Sequence, residues 1–96
     1  MKFMVSWKIH QDKKHDAIKL FSQMTTADDK KDAGDKIKVI GRWHDVASGS
    51  GVAICESDDA KALSAWALNW NILLDVNVVP VLDDEEAREV GKKKFG

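Results

Sequence analysis

The feature that most constrains this chain is the alternation of apolar and polar residues in two separate stretches. In residues 2–10 the apolar phase is Phe3, Val5, Trp7 and Ile9, and in residues 36–45 it is Ile37, Val39, Gly41 and Trp43. A period of two residues predicts β-strands with one buried face. The other phase of the second stretch, which includes Arg42 and His44, is predicted to face away from that buried side.

Helical periodicity separates these strands and recurs later in the chain. Apolar residues repeat at three- and four-residue spacing from Ala17 to Met24, and again from Ala60 to Trp70, as in amphipathic helices. Candidate N-caps precede both helices, Asp12 before the first and the run 57–59 before the second. A capping-box pattern, Thr26 with Asp29, predicts a short additional helical turn between the first helix and the second strand.

Turn and strand signals complete the order of elements. Residues 47–51 have a turn composition and join the second strand to a third at 52–56, and a Val-rich fourth strand is predicted over 73–82. Asp83 with Glu86 forms another capping-box pattern, and Lys92, Lys93 and Lys94 follow at the end where the helix dipole favours positive charge. We therefore expect a short C-terminal helix.

The order strand, helix, strand, strand, helix, strand predicts an α+β, ferredoxin-like βαββαβ fold, with a single domain over residues 1–96. Right-handed crossovers require a four-stranded antiparallel sheet of order 4-1-3-2 with both helices on one face. A net charge of −1 gives no excess of positive charge for nucleic acid. No segment approaches the roughly 18 apolar residues of a membrane span, so a cytoplasmic location without membrane contact is expected.

The sheet face opposite the helices is predicted to carry Met4, Ile40, Val52, Ile54, Val79 and Val81. Burying such a side chain contributes about 1.5 to 3 kcal/mol, so this face is too apolar to leave in water. In so short a chain the available cover is a second copy. We expect a homodimer that packs sheet to sheet through an isologous interface.

Several segments together resemble a known family: the run 41–44, the turn after it, Trp66 and Trp70 on the second helix, and the segment 80–86. They resemble the domain of unknown function 3303 family of small bacterial proteins, which is grouped with the dimeric α/β-barrel proteins. The resemblance implies a barrel-like dimer. It implies no particular activity, because that superfamily includes cofactor-free monooxygenases, haem-degrading enzymes, isomerases and proteins without known chemistry.

Polar residues near one sheet edge form the candidate site. We expect a pocket between the sheet and the partner subunit that binds a small anionic or aromatic molecule, lined by Ser6, Lys8, Arg42, His44 and Asn77 with Trp70 nearby. Arg42 would hold a carboxylate or similar anion through its planar guanidinium. His44, with an ordinary pKa near 6.5, would move a proton if the protein is an enzyme.

Two other functions stay open from the sequence. One is a cofactor-free monooxygenase or isomerase with His44 as general base. The other is a structural or protein-interaction module, in which Arg42 and His44 pair with Glu56, Asp75 or Asp45 at the dimer seam. Cys55 falls on the core phase and is predicted to be a buried thiol in a reducing compartment. No ligand spacing typical of a metal site occurs, so no metal and no cofactor is expected.

Overall fold

The computed structural model describes residues 1–96, which form one four-stranded antiparallel sheet and four α-helices. A 3₁₀ turn at Gln11–Lys13 precedes the first helix. In chain order the elements are β1 (Lys2–Ile9), α1 (Lys14–Ser22), α2 (Thr26–Ala33), β2 (Lys38–Asp45), β3 (Ser50–Glu56), α3 (Ala60–Trp70), β4 (Leu74–Val81) and α4 (Asp84–Phe95). The α+β class and this set of elements agree with the prediction.

The strand order in the sheet is β2-β3-β1-β4, which is the predicted order read from the opposite edge. β1 therefore lies in the centre, with Val5 opposite Ala53 of β3 on one side and opposite Val78 of β4 on the other. Val5, Ala53 and Val78 lie on the helix-covered face of the sheet, and the core lies between this face and the helices. Its buried side chains are Phe3, Val5, Ile37, Ala53, Cys55, Leu63 and Trp66.

Side-chain caps determine where most of the helices begin. Asp59 accepts hydrogen bonds from two backbone N–H groups at the start of α3, and Asp83 with Glu86 forms the predicted capping box of α4. The capping box of α2 is made by Thr25 and Asp28, one residue before the predicted pair. The prediction that Asp12 caps α1 is wrong, because the 3₁₀ turn leads directly into that helix and no side chain caps it.

A β-bulge in β2 changes which side chains face the helices. Val39 pairs with Cys55 and Gly41 pairs with Ile54, so Ile40 between them has no partner on β3. The extra residue shifts the alternation by one position. Arg42 consequently lies opposite Ala53 on the helix-covered face, and Trp43 lies on the other face. The predicted facing of Arg42, His44 and Trp43 is therefore wrong, since it assumed an uninterrupted period of two.

The face of the sheet away from the helices, which we call the open face, remains largely apolar. By strand register it carries Met4, Ser6, Lys8, Trp43, Val52, Ile54, Asn77, Val79 and Val81. Trp43 is 61% exposed and Val79 is 41% exposed. The ring of Trp43 lies against Gly41, where a Cβ atom would collide with it.

The C-terminal helix α4 packs little against the rest of the chain. None of its residues is buried, and Val90 and Phe95 are mostly exposed. Its first turn is connected to β1 by ion pairs from Lys2 to Asp83 and Glu86, with N–O distances of 3.5 and 3.7 Å. No helix in the structure has the length and apolar character needed to cross a membrane.

Candidate functional site

A pocket lies between the helix-covered face of the sheet and the helices. Its volume is about 80 Å³, and since a single water needs roughly 15 Å³ by this kind of measure, it has room for about five waters. The walls are almost entirely apolar. The lining residues are Val5, Trp7, Ile9, Ile18, Phe21, Arg42, His44, Trp66, Ala67, Trp70, Leu74 and Val76.

The local periodicity of each element explains why these walls meet. On the strands, residues two apart face the same side, which aligns Trp7 with the pocket side of β1 and Val76 opposite it on β4. On α3, Trp66 and Trp70 are four residues apart and lie one above the other on one face of the helix. Phe21 closes the pocket from α1.

One carboxylate holds two of the indole rings in place. The indole N–H groups of Trp66 and Trp70 both donate to Oδ2 of Asp32, with donor–acceptor distances of 2.9 and 2.7 Å. Asp32 belongs to α2, so this contact fastens α2 to α3. The tryptophan side chains thus have their polar atoms satisfied on one side and present apolar ring surface to the pocket.

Arg42 is the only residue with a permanent charge in the lining. Its guanidinium carbon lies 4.9 Å from the centre of the Phe21 ring, and its Nη2 lies 3.1 Å from Oδ2 of Asp29. The side chain of Arg42 is 21% exposed and that of Asp29 is 30% exposed. The second oxygen of Asp29, Oδ1, is buried without a hydrogen-bond partner. This pair is partly desolvated, which makes its attraction stronger than that of a surface ion pair.

His44 lies beside Arg42 against two aromatic rings. Its ring centre is 4.7 Å from that of Phe21 and 5.4 Å from that of Trp7. His44 remains partly exposed. Its partial burial lowers its pKa below the ordinary value of 6.5, and the positive charge of Arg42 lowers it further, against a weaker opposing effect of Asp29. The imidazole is therefore neutral at pH 7, and it makes no hydrogen bond to another group of the protein.

The structure divides the six predicted site residues between two faces of the sheet. Arg42, His44 and Trp70 line the pocket. Ser6, Lys8 and Asn77 lie on the open face, where Ser6 and Asn77 are opposite each other on β1 and β4. The two groups cannot share one ligand, because the sheet separates them. Arg42 also pairs with Asp29 of α2 rather than with Asp45, Glu56 or Asp75.

The sequence analysis missed the residues that organise the pocket from α2 and α1. Asp29 was expected to complete a capping box with Thr26, and no role was predicted for Asp32, although their spacing of three residues places them on one side of a short helix. Phe21 was assigned only to the apolar face of α1. The sequence signal for all three is weak, because acidic residues on a short polar helix usually face solvent.

The remaining reactive side chains do not form a site of their own. Cys55 is buried in the core as a free thiol. Burial raises the pKa of that thiol, so it stays protonated and unreactive at neutral pH. No group of three or more His, Cys, Asp or Glu side chains that could hold a metal ion occurs in the structure.

These features define an α+β protein with a roughly ferredoxin-like order of elements and an aromatic pocket between its sheet and its helices. The model of one protein family matches residues 1–95, and the chain belongs to that family, described as a domain of unknown function (DUF3303). The family expected from the sequence resemblance is thereby confirmed. Comparison with curated proteins finds no match, and neither does comparison with solved structures.

Proposed function

We propose that this protein binds a small aromatic or anionic molecule in the pocket of each subunit, between the sheet and the helices. The observation that carries the proposal is an open cavity walled by Trp7, Phe21, Trp66 and Trp70, with Arg42 and His44 together in its lining. An apolar wall with a few polar groups is the usual form of a small-molecule site. The proposed site therefore lies on the helix-covered side of the sheet, whereas the sequence predicted a site on the open face.

Energetics support a ligand in this place. An unfilled cavity forfeits dispersion contacts along its walls and lowers the stability of the fold. Large aromatic side chains normally pack against one another and close such a gap, but here Asp32 holds Trp66 and Trp70 by their indole N–H groups. A bound ring would restore the missing contacts.

The test is an NMR titration of the four tryptophan indole N–H signals with a panel of small one-ring aromatic compounds. We expect at least one compound to shift the signals of Trp7, Trp66 and Trp70 and to leave Trp43 on the open face unchanged. Ala67→Phe fills the pocket and should abolish the shifts, whereas Ala65→Phe on the exposed side of α3 should retain them. The proposal fails if no compound shifts these signals, or if Ala67→Phe has no effect.

We also propose that two copies assemble through the open face as a dimeric α/β barrel. Four strands of about 8 residues cover roughly 500 Å² per subunit at the usual strand spacing, while a stable interface buries about 800 Å² per partner. The exposed apolar residues of α4, Val90 and Phe95, can supply part of the difference if α4 contacts the second copy.

Charges around the open face suit a self-complementary interface. Residues of both charges flank its apolar centre. The lysines are Lys2, Lys8 and Lys38, and the acidic residues are Asp45, Glu56 and Asp75. A two-fold axis can place each sign opposite the other. The buried free thiol of Cys55 supports a reducing, cytoplasmic compartment as part of the same proposal.

A second candidate is an enzyme that moves a proton, with His44 as general base and Arg42 holding a developing negative charge. The observation that favours it is a neutral imidazole that lines the cavity and has no hydrogen-bond partner in the protein. A neutral ketone such as acetophenone can probe it: His44 would remove a proton from the α-carbon to leave an enolate, and deuterium from solvent would replace that proton. Measured exchange should be faster with the wild type than with His44→Ala, and equal rates would exclude this role.

A structural or protein-interaction module remains the alternative if the pocket stays empty. In that case the Arg42–Asp29 pair and the two indole contacts of Asp32 would serve only to attach α2 to the rest of the fold. The titration with Ala67→Phe separates the two readings. If the protein is such a module, Ala67→Phe should raise its stability by filling the cavity. No aromatic compound should shift the indole signals of the wild type.

A further inference from the structure

The charges around the pocket discriminate between ligands of different charge. Arg42 is the only charged residue in the lining, and Asp29 already lies against it at 3.1 Å. An arginine whose charge is matched by a neighbouring carboxylate attracts a second anion weakly, because the new anion must compete with the one present. Asp29 thus matches the charge of Arg42 from outside the pocket lining, and a ligand carboxylate would have to share the guanidinium with it.

A second carboxylate strengthens this effect. Asp32 lies directly behind the indole rings of Trp66 and Trp70, where its Oδ2 accepts both of their N–H groups. The nearby formal charges are then one positive, from Arg42, and two negative, from Asp29 and Asp32, while His44 is neutral. An anion inside the pocket would therefore gain little from Arg42, because Asp29 already matches the charge of the guanidinium. A cation would have to approach the guanidinium of Arg42 in the pocket lining.

Arg42 nevertheless keeps unused hydrogen-bond donors. A guanidinium has five N–H groups, and the structure gives only Nη2 a close carboxylate contact. The contact of Arg42 with the Phe21 ring places the guanidinium next to the cavity. The remaining N–H groups can donate to a carbonyl or amide oxygen without disturbing the pair with Asp29.

We infer that the ligand of this pocket is a neutral planar ring compound that bears a hydrogen-bond acceptor, and that Asp29 excludes carboxylates by neutralising Arg42. This inference rests on the proposed function, since it names the class of molecule that the same pocket binds. It narrows the earlier expectation of an anionic or aromatic ligand to the aromatic and uncharged case.

The experiment compares three probes of nearly identical shape and different charge: benzamide, benzoate and benzamidinium. Dissociation constants are measured on the full chain from the indole N–H shifts of Trp7, Trp66 and Trp70, with Trp43 as the internal reference. We expect benzamide to bind about tenfold more tightly than either charged probe, the difference that one partly buried charge contact makes. Equal or tighter binding of benzoate or benzamidinium overturns the inference and leaves the pocket as a binding site.

A charge-neutral variant tests the role of Asp29 directly. Asp29→Asn removes the carboxylate that matches Arg42, and benzoate should gain about tenfold in affinity. The matched control is Asp35→Asn, which makes the same change in net charge at an exposed acid with no ion pair and should leave benzoate binding unchanged. No gain with Asp29→Asn, or an equal gain with Asp35→Asn, overturns the role of Asp29. If no probe of any charge binds, the proposed function itself fails.

Discussion

Asp32 accepts two indole N–H groups through a single oxygen, and Asp29 forms an ion pair with the guanidinium of Arg42. Both acids lie on α2, a helix that buries none of its residues. They attach α2 to the pocket through polar contacts, in addition to the packing of Ala33 against the core. At the scale of single residues, the shape and the charge of the pocket therefore depend on two side chains outside its lining.

Asp32→Ala should destabilise the fold by about 1 to 3 kcal/mol, because it leaves the N–H groups of Trp66 and Trp70 without an acceptor. Asp32→Asn should cost less, since its amide oxygen can still accept. Urea unfolding followed by tryptophan fluorescence measures both changes. Asp35→Ala, an exposed acid without a partner, should stay within about 0.5 kcal/mol of the wild type. Equal losses for Asp32→Ala and Asp35→Ala would contradict the role of the indole contacts.

His44 should make stability depend on pH. Burial lowers the pKa of His44 in the folded state, so in acid the unfolded chain binds a proton at this residue more readily than the folded chain does. The contribution of neutral His44 to the free energy of unfolding is therefore fully present above about pH 6.5. It is lost as the pH falls from there towards the lowered pKa of the folded state. The urea midpoint of the wild type should fall as the pH is lowered from 7.5 to 5.5.

The control for this pH dependence is a variant that removes the titrating ring. His44→Gln should flatten the pH dependence in that range. His15→Gln, which changes an exposed histidine on α1, should leave it as in the wild type. Identical pH profiles for the wild type and His44→Gln would show that the imidazole does not titrate differently on folding.

At the scale of elements, the bulge at Ile40 lets Val39 before it and Arg42 after it both lie on the helix-covered face of the sheet. Val39 and Gly41 pair with Cys55 and Ile54, which are adjacent in β3. Removal of Ile40 would therefore leave a regular strand with the same pairing, and Arg42 and His44 would keep their facing. The bulge allows β2 to contain one residue more than its partner without changing the face of the residues after it.

Deletion of Ile40 should give a folded protein that has lost about 1 kcal/mol, because this side chain is 50% exposed and only part of its burial is lost. Deletion of Val52 from β3 is the matched control. β3 pairs with both β1 and β2, so a one-residue shift there moves side chains to the wrong face and should prevent cooperative folding. Circular dichroism with thermal melting distinguishes the two deletions, and loss of folding on deletion of Ile40 would refute the assigned register.

Much of the element order was predictable because it depends on local periodicity. The alternation of Phe3, Val5 and Trp7 and the helical spacing of Leu63, Trp66 and Trp70 are visible without a structure, and right-handed crossovers then determine the strand order. The bulge was not predictable, because Val39 and Ile40 are both apolar and fit either phase. That one ambiguity placed Arg42 and His44 on the wrong face.

At the scale of the whole molecule, the open face and α4 are the parts that the single chain leaves uncovered. Trp43 and Val79 are large, exposed and on the open face, and α4 contributes Val90 and Phe95. The pocket lies on the opposite side of the sheet. The proposed dimer and the proposed ligand site thus use separate surfaces and can be tested independently.

Val79→Lys should dissociate the proposed dimer, because it places a charge at the apolar centre of the open face. Sedimentation velocity at micromolar concentration should change from dimer to monomer. Leu68→Lys is the control, since Leu68 is exposed on α3, away from the open face, and it should remain dimeric. A monomeric wild type would overturn the dimer and leave the pocket proposal intact, because the pocket is complete within one subunit.

The amino-acid sequence by itself determined the α+β class, the order of the elements and the strand order, because these follow from short-range periodicity and chain connectivity. The family followed from the resemblance of particular segments, among them residues 41–44 and 80–86. The tertiary structure decided the face on which Arg42 and His44 lie, their contact with Phe21, and the positions of Asp29 and Asp32 behind the pocket. These depend on the register between β2 and β3 and on the docking of a short polar helix. The physical reason is that a shift of one residue costs little locally but reverses every side chain that follows.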